Sequence, residues 1–130
     1  MNNEYLIMNN EGQKPNVLLD KSKLFALRVI KLYKFLKSEK QEDIIAKQVF
    51  RSGTSIGANV AESHYASSKA DFINKLHIAL KEASETEYWL TLLSESKILS
   101  EAESETIIVE CKEIIKILTA SIKTAKKVTK

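Results

Sequence analysis

The sequence predicts an all-α protein, an up-down-up-down antiparallel four-helix bundle, and three observations carry that expectation. Only three Gly and one Pro occur among 130 residues, too few for the turns that β and α/β folds require. Apolar residues recur at three- and four-residue spacing in four long segments, the signature of amphipathic helices. The breaks between these segments are short and polar, and a short connection returns the chain antiparallel to itself. The length suits a single core.

Residues 1–19 open with MNNEYLIMNNEGQKP, a polar run containing Gly12 and Pro15 and no sustained period. They are expected to form a flexible N-terminal arm whose apolar block, Tyr5 to Met8, is suited to docking, with the bundle domain over 20–130. The first helix is expected from about Lys21 to Lys37. Phe25, Val29, Leu32 and Leu36 form its stripe, thickened by Leu24, Tyr33 and Phe35. SEKQE is the first turn. The second helix, about Glu42 to Tyr65, carries Ile45, Val49, Ile56 and Val60 on its apolar face. Ser68 with Asp71 resembles a capping box and opens a third helix that runs to about Ser96. Its stripe is Phe72, Leu76, Ala79, Ala83, Thr86 and Leu90. Ser100 with Glu103 is a second capping box, opening a fourth helix with Ile107, Cys111, Ile114, Leu118, Ile122 and Ala125 inward.

The second helix raises a question, because RSGTSIGANVAES places weak helix formers at its centre. At about 100° per residue, Arg51, Ser55, Asn59 and Glu62 form a polar arc beside the apolar face. Gly53, Gly57, Ala58 and Ala61 remove bulk and permit close approach of a neighbouring backbone. On the third helix, Ile78, Glu82, Glu85 and Trp89 share an arc beside the core stripe. Arg51 is expected to pair with Glu85, or failing that with Glu62 or Glu82, while Ser55 and Asn59 satisfy the remaining donors and acceptors. Such a network fixes helix register more than it adds stability; a subunit contact or a ligand site are the other readings of the same residues. The arc of Ile78, Glu82 and Trp89 is too apolar for a free surface, so it is expected to lie at a homo-oligomer interface.

Several chemistries are excluded by what the chain does not contain. His64 and His77 lie on different helices with no metal-ligand cluster nearby, and no Glu-x-x-His pair occurs. There is no phosphate-cradling glycine loop and no nucleophile elbow. The expectation is a non-enzyme with no cofactor and no metal. Cys111, the single cysteine, rules out an internal disulfide and suits packing in a reducing compartment. No apolar run approaches the ~18 residues of a membrane span, and no basic-then-apolar leader is present, so a cytoplasmic protein is expected.

Charge is distributed unevenly around a net +3. Residues 21–40 carry seven bases against one acid, residues 82–113 nine acids against two bases, and residues 114–130 five lysines and no acid. In an up-down bundle the end of the fourth helix lies beside the start of the first, which would juxtapose Lys123, Lys126, Lys127 and Lys130 with Lys21, Lys23 and Arg28. Such a cluster can neutralise phosphates of RNA or DNA without reading bases. Complementing the helix dipole and keeping the protein soluble are competing uses of the same lysines. Two functions stay open: a nucleic-acid-binding accessory protein, or a protein-interaction module whose partner is a protein such as a nucleic-acid enzyme.

KQVFRSGTSIGANVAES followed by KADFINKLHIALKEASETEYWL resembles the 23S rRNA intervening-sequence family, whose members are four-helix bundles related to ribosomal-protein-like chains. Accessory variability proteins of diversity-generating retroelements are among the relatives this resemblance implies. Arg51, Ser52, Ser55, Ile56, Asn59, Ala61, Glu62, Phe72, Ala79 and Glu85 fall on the pattern, which spans about residues 20–120. The resemblance implies a ring-like homopentamer and nucleic-acid binding.

Overall fold

The computed structural model describes residues 16–127, and these form four helices: α1 Val17–Glu39, α2 Ile44–Ser63, α3 Lys69–Glu95 and α4 Glu101–Lys127. Each packs against its sequence neighbour, and α4 returns to α1 to close the bundle, with the thinnest contact at that last seam. This is the antiparallel architecture that the periodicity and short connections predict.

Local chemistry sets the helix ends. Asn16 Oδ1 accepts from the Leu19 amide at 3.1 Å, so α1 begins at Val17 and residues 17–19, assigned to the arm from sequence, are its first turn. The Glu42 carboxylate accepts from the amides of Ile44, Ile45 and Ala46 at 3.2, 3.1 and 2.8 Å, satisfying donors that a helix start leaves orphaned. Ser100 and Glu103 form the reciprocal capping box, at 3.1 Å from the Glu103 amide to Ser100 Oγ and 2.8 Å from the Ser100 amide to Glu103 Oε1. At α3 the box is offset: Ser68 Oγ accepts from the Asp71 amide, but Asp71 accepts from Ser67 rather than Ser68.

The two turns at the far end of the bundle contain no glycine. Gln41 (φ 53°) and Lys97 (φ 70°) take the left-handed conformation instead, and the amides of Glu42 and Leu99 turn back to the carbonyls of Leu36 and Leu93. Lys40 pairs with Glu103 at 3.3 Å and so links these turns.

The core follows the predicted stripes. Phe25, Val29 and Leu36 of α1 meet Val49, Ile56 and Val60 of α2, and all six stripe residues named for α3 and all six for α4 are buried. Three expectations are corrected, the first being Leu32, which packs against the core but is only half-buried. Leu24 is 63% exposed, because it faces the gap toward α4 rather than the core. Ile45 is only half-buried, its core place being taken by Ala46.

Candidate functional site

The polar stripe lies at the seam between α2 and α3. Arg51 reaches across to hydrogen-bond Glu85, and its second guanidinium nitrogen stands 3.6 Å from Glu82. Trp89 donates its indole N–H to the same Glu85 oxygen at 3.0 Å. That indole hydrogen bond, followed by the Arg51 contact, holds the Glu85 carboxyl below its usual range against the opposing effect of burial. The expected Arg51–Glu85 pair therefore forms, but with Arg51 53% exposed on its side chain.

The rest of the predicted network does not assemble around it. Ser55 Oγ donates to the Arg51 carbonyl at 2.6 Å, and Asn59 Nδ2 donates to the Ser55 carbonyl at 2.9 Å, so both satisfy their own helix backbone. Glu62 pairs with Lys75 at 3.1 Å, one end of the helix away from Arg51. Of the arc expected at a homo-oligomer interface, Trp89 packs half-buried against the core, and Glu82 is tucked under Arg51 with a side chain only 14% exposed. Ile78 is half-buried beside it.

The buried link between the two helices is one that sequence reasoning missed. Thr86 Oγ1 donates to Ser52 Oγ at 2.8 Å, and Ser52 Oγ donates on to the Gln48 carbonyl at 3.0 Å. Both hydroxyl residues are fully buried, so a complete chain of hydrogen bonds removes the desolvation cost each would otherwise carry. The signal was present: Ser52 and Thr86 both fall on core-facing positions. The small residues also answer the question raised by the sequence. A Cβ on Gly53 would come within 2.8 Å of a Val29 methyl, and one on Gly57 within 3.3 Å of the Ser22 carbonyl oxygen. Bulk is absent from α2 because α1 lies against it.

The basic residues are less concentrated than expected. Lys21 pairs with Glu113 at 3.1 Å and Arg28 hydrogen-bonds Glu110. Glu113 lies ten residues before Lys123, about 15 Å along a helix, so Lys21 and Arg28 point away from the end of α4 toward acids that neutralise them. Lys23, Lys123 and Lys127 are exposed and make no ion pair among the described residues. So are three lysines that the sequence pattern did not single out: Lys31 and Lys34 on α1, and Lys116 on α4. Lys126 is also exposed and its carbonyl accepts from Lys69 Nζ at 3.3 Å. Lys130 lies outside the described residues, as do residues 1–15 of the arm.

Among the described residues, no group of three or more His, Cys, Asp or Glu side chains could hold a metal ion. Burial lowers the pKa of His64, and its Nε2 lies 3.5 Å from Asn16 Nδ2. Since Asn16 Oδ1 is committed to the Leu19 cap, that contact requires an Nε2 without a proton. Cys111 donates to the Ala83 carbonyl and burial pushes its thiol up to about 12, which removes the thiolate that reactivity needs. Among the described residues, no helix is long and apolar enough to cross a membrane.

The family model of the 23S rRNA-intervening sequence protein matches residues 14–120. The chain belongs to that family. Among solved structures, a protein of unknown function from the S23 ribosomal protein family of Bacteroides thetaiotaomicron is 53% identical, with a TM-score of 0.80, and the match covers 82% of this chain and 98% of that one. No match is found among curated proteins.

Proposed function

We propose that the protein is a non-enzymatic, homo-oligomeric accessory protein of the cytoplasm that binds RNA or DNA through a basic surface on α1 and α4. The observation that carries this reading is the set of exposed lysines without ion pairs among the described residues, Lys23, Lys31 and Lys34 on α1 and Lys116, Lys123 and Lys127 on α4. Lys116, Lys123 and Lys127 recur at helical spacing on one face, so they can follow a phosphate backbone without reading bases. One such face binds weakly, with non-specific affinities near 10⁻⁴–10⁻⁶ M; repeating it around an oligomer raises affinity through effective concentration. A homopentamer is the assembly the family resemblance suggests. The outward face of α2 supports self-association better than α3 does. Ile44 at its start and Tyr65 in the turn just beyond its end are 77% and 89% exposed, with the exposed small residues Ala58 and Ala61 between them.

Fluorescence anisotropy with structured RNA and duplex DNA tests the proposal. Binding should be insensitive to sequence and should fall steeply from low to moderate salt. The Lys116→Glu/Lys123→Glu/Lys127→Glu variant should lose it while keeping its helical content. Light scattering should give a multiple of the 14.7 kDa chain mass, returning to that mass in Ile44→Asp/Tyr65→Asp. Absence of binding at low salt would overturn the reading in favour of a protein-interaction module. That alternative draws on the exposed apolar side chains and on the resemblance to retroelement accessory proteins, with a nucleic-acid enzyme as partner.

A further inference from the structure

The outward face of α1 carries a repeat that the bundle does not use. Val17, Asp20, Leu24, Leu27, Lys31 and Lys34 follow one another at alternating three- and four-residue spacing, and all six are exposed. That spacing is the seam of a two-stranded coiled coil, here with leucines at its centre and charge toward both ends. Leu24 and Leu27 are 63% and 49% exposed, a cost in unburied apolar surface. Both line a groove of about 390 Å³ along the α1/α4 seam, together with Phe25 and Ile114. Asp20, Lys31 and Lys34 make no ion pair among the described residues.

We propose that this stripe pairs with the same stripe of a second copy of the chain, antiparallel, about a two-fold axis between Leu24 and Leu27. Charge selects both the occupant and its direction. With Leu24 opposite Leu27 of the second copy, the next step along the seam sets Asp20 against Lys31 of that copy. One step further sets Val17 against Lys34, whose aliphatic stem covers the valine while its ammonium stays in water. Symmetry makes each contact twice. A parallel pairing would instead set Asp20 against Asp20, Lys31 against Lys31 and Lys34 against Lys34, like charges throughout. The groove beside the stripe leaves room for the incoming leucines, next to Phe25 and Ile114.

This contact goes beyond the self-association already proposed. A ring is closed by heterologous contacts, so an isologous contact is additional to it and joins chains of separate oligomers. Two leucines a side fall well below a standard interface. Alone the contact is weak, and single chains stay dissociated at micromolar concentration; repeated on an oligomer it is reinforced through effective concentration. Lys116, Lys123 and Lys127 of α4 do not line the groove, so the nucleic-acid reading and this one fail independently.

Mixing experiments on the full chain test the pairing. Leu24→Cys and Leu27→Cys chains, mixed and mildly oxidised, should give a two-chain species in non-reducing electrophoresis. The native Cys111 is fully buried and does not compete. Val17→Cys chains should cross-link about ten-fold less or worse, since antiparallel pairing holds the two Val17 positions about 26 Å apart along the axis. Charge reversal supplies the second arm. Asp20→Lys in both chains, or Lys31→Asp in both, should lower the Leu24–Leu27 cross-link about ten-fold. Mixing Asp20→Lys/Leu24→Cys with Lys31→Asp/Leu27→Cys should restore it, because each chain carries the charge the other needs. A role for Asp20 or Lys31 within one chain gives no such rescue. Absence of the Leu24–Leu27 cross-link, equal cross-linking at Val17, or no recovery on mixing would each overturn the proposal. Should a cysteine variant lose its far-UV circular dichroism, the charge variants without added cysteine, alone and mixed, are compared by light scattering at millimolar concentration. Association that returns only in the mixture supports the pairing, and association indifferent to mixing overturns it.

Discussion

The α2/α3 and α1/α4 seams obey one antiparallel rule with opposite chemistry. At α2/α3 the facing residues are small: Ser52 of α2 meets Thr86 of α3, with Ala79 and Ala83 on the same α3 stripe, all fully buried. The helices approach closely and the buried hydroxyls are paired. At α1/α4 the facing residues are long, and ion pairs of Lys21 with Glu113 and Arg28 with Glu110 span a groove with exposed leucines. The difference teaches that polar residues at a helix contact act according to the bulk around them. Small hydroxyls allow closure and become buried, whereas long charged side chains reach across a gap and stay wet.

The largest expected effect comes from adding bulk on the other side of α2, where it packs against α1. Gly53→Leu would drive its Cβ against Val29 and should cost about 3 kcal/mol, well beyond the ~1 kcal/mol gained in helix propensity; thermal unfolding reads it. Next, Thr86→Val keeps the shape and removes the hydroxyl, which should cost about 1 kcal/mol. Combined with Ser52→Ala, it should show coupling of at least ~0.5 kcal/mol in a double-mutant cycle. Arg51→Ala should cost less, about 1 kcal/mol or below, because the arginine that bridges the seam is more than half exposed. At the open seam Lys21→Ala should move stability by about 0.5 kcal/mol or less.

Acid sharpens the same contrast. Glu85 titrates below its ordinary range through the Trp89 and Arg51 contacts. Its stabilising contribution is therefore complete above the unfolded carboxylate pKa, about 4.3, and is lost as pH falls through the depressed folded value. Glu85→Gln removes that part of the acid limb, so the stability difference between wild type and variant should shrink as pH falls below the unfolded carboxylate pKa and vanish once it passes the depressed folded value. Denaturant midpoints measured from pH 7 down to pH 3 check this.

Much of this was legible in the sequence, and the failures share a cause. Helix stripes were readable because periodicity reports burial directly, as Phe72 through Leu90 and Ile107 through Ala125 demonstrate. The Arg51–Glu85 pair was readable because two helical arcs met at one height. Ser55 and Asn59 were misassigned because a short polar side chain can bond to its own backbone four residues back, an option a helical wheel does not display. Lys21 and Arg28 were misplaced for a related reason. Net charge per segment hides which acid a flexible side chain reaches, and the acids of α4 lie within that reach. The start of α1 was missed because Asn16 as a cap sits directly after Pro15, in a run that reads as loop.

Cys111 gives the molecule an internal clock. Its sulfur is fully buried, and its proton is held to about pH 12, so a thiol reagent must wait for the helices around it to separate. With reagent in excess, modification proceeds at the rate at which the bundle opens; with reagent scarce, it reports how often the opened state is populated. The same residue that contributes nothing to chemistry in the native state thus records every excursion away from it.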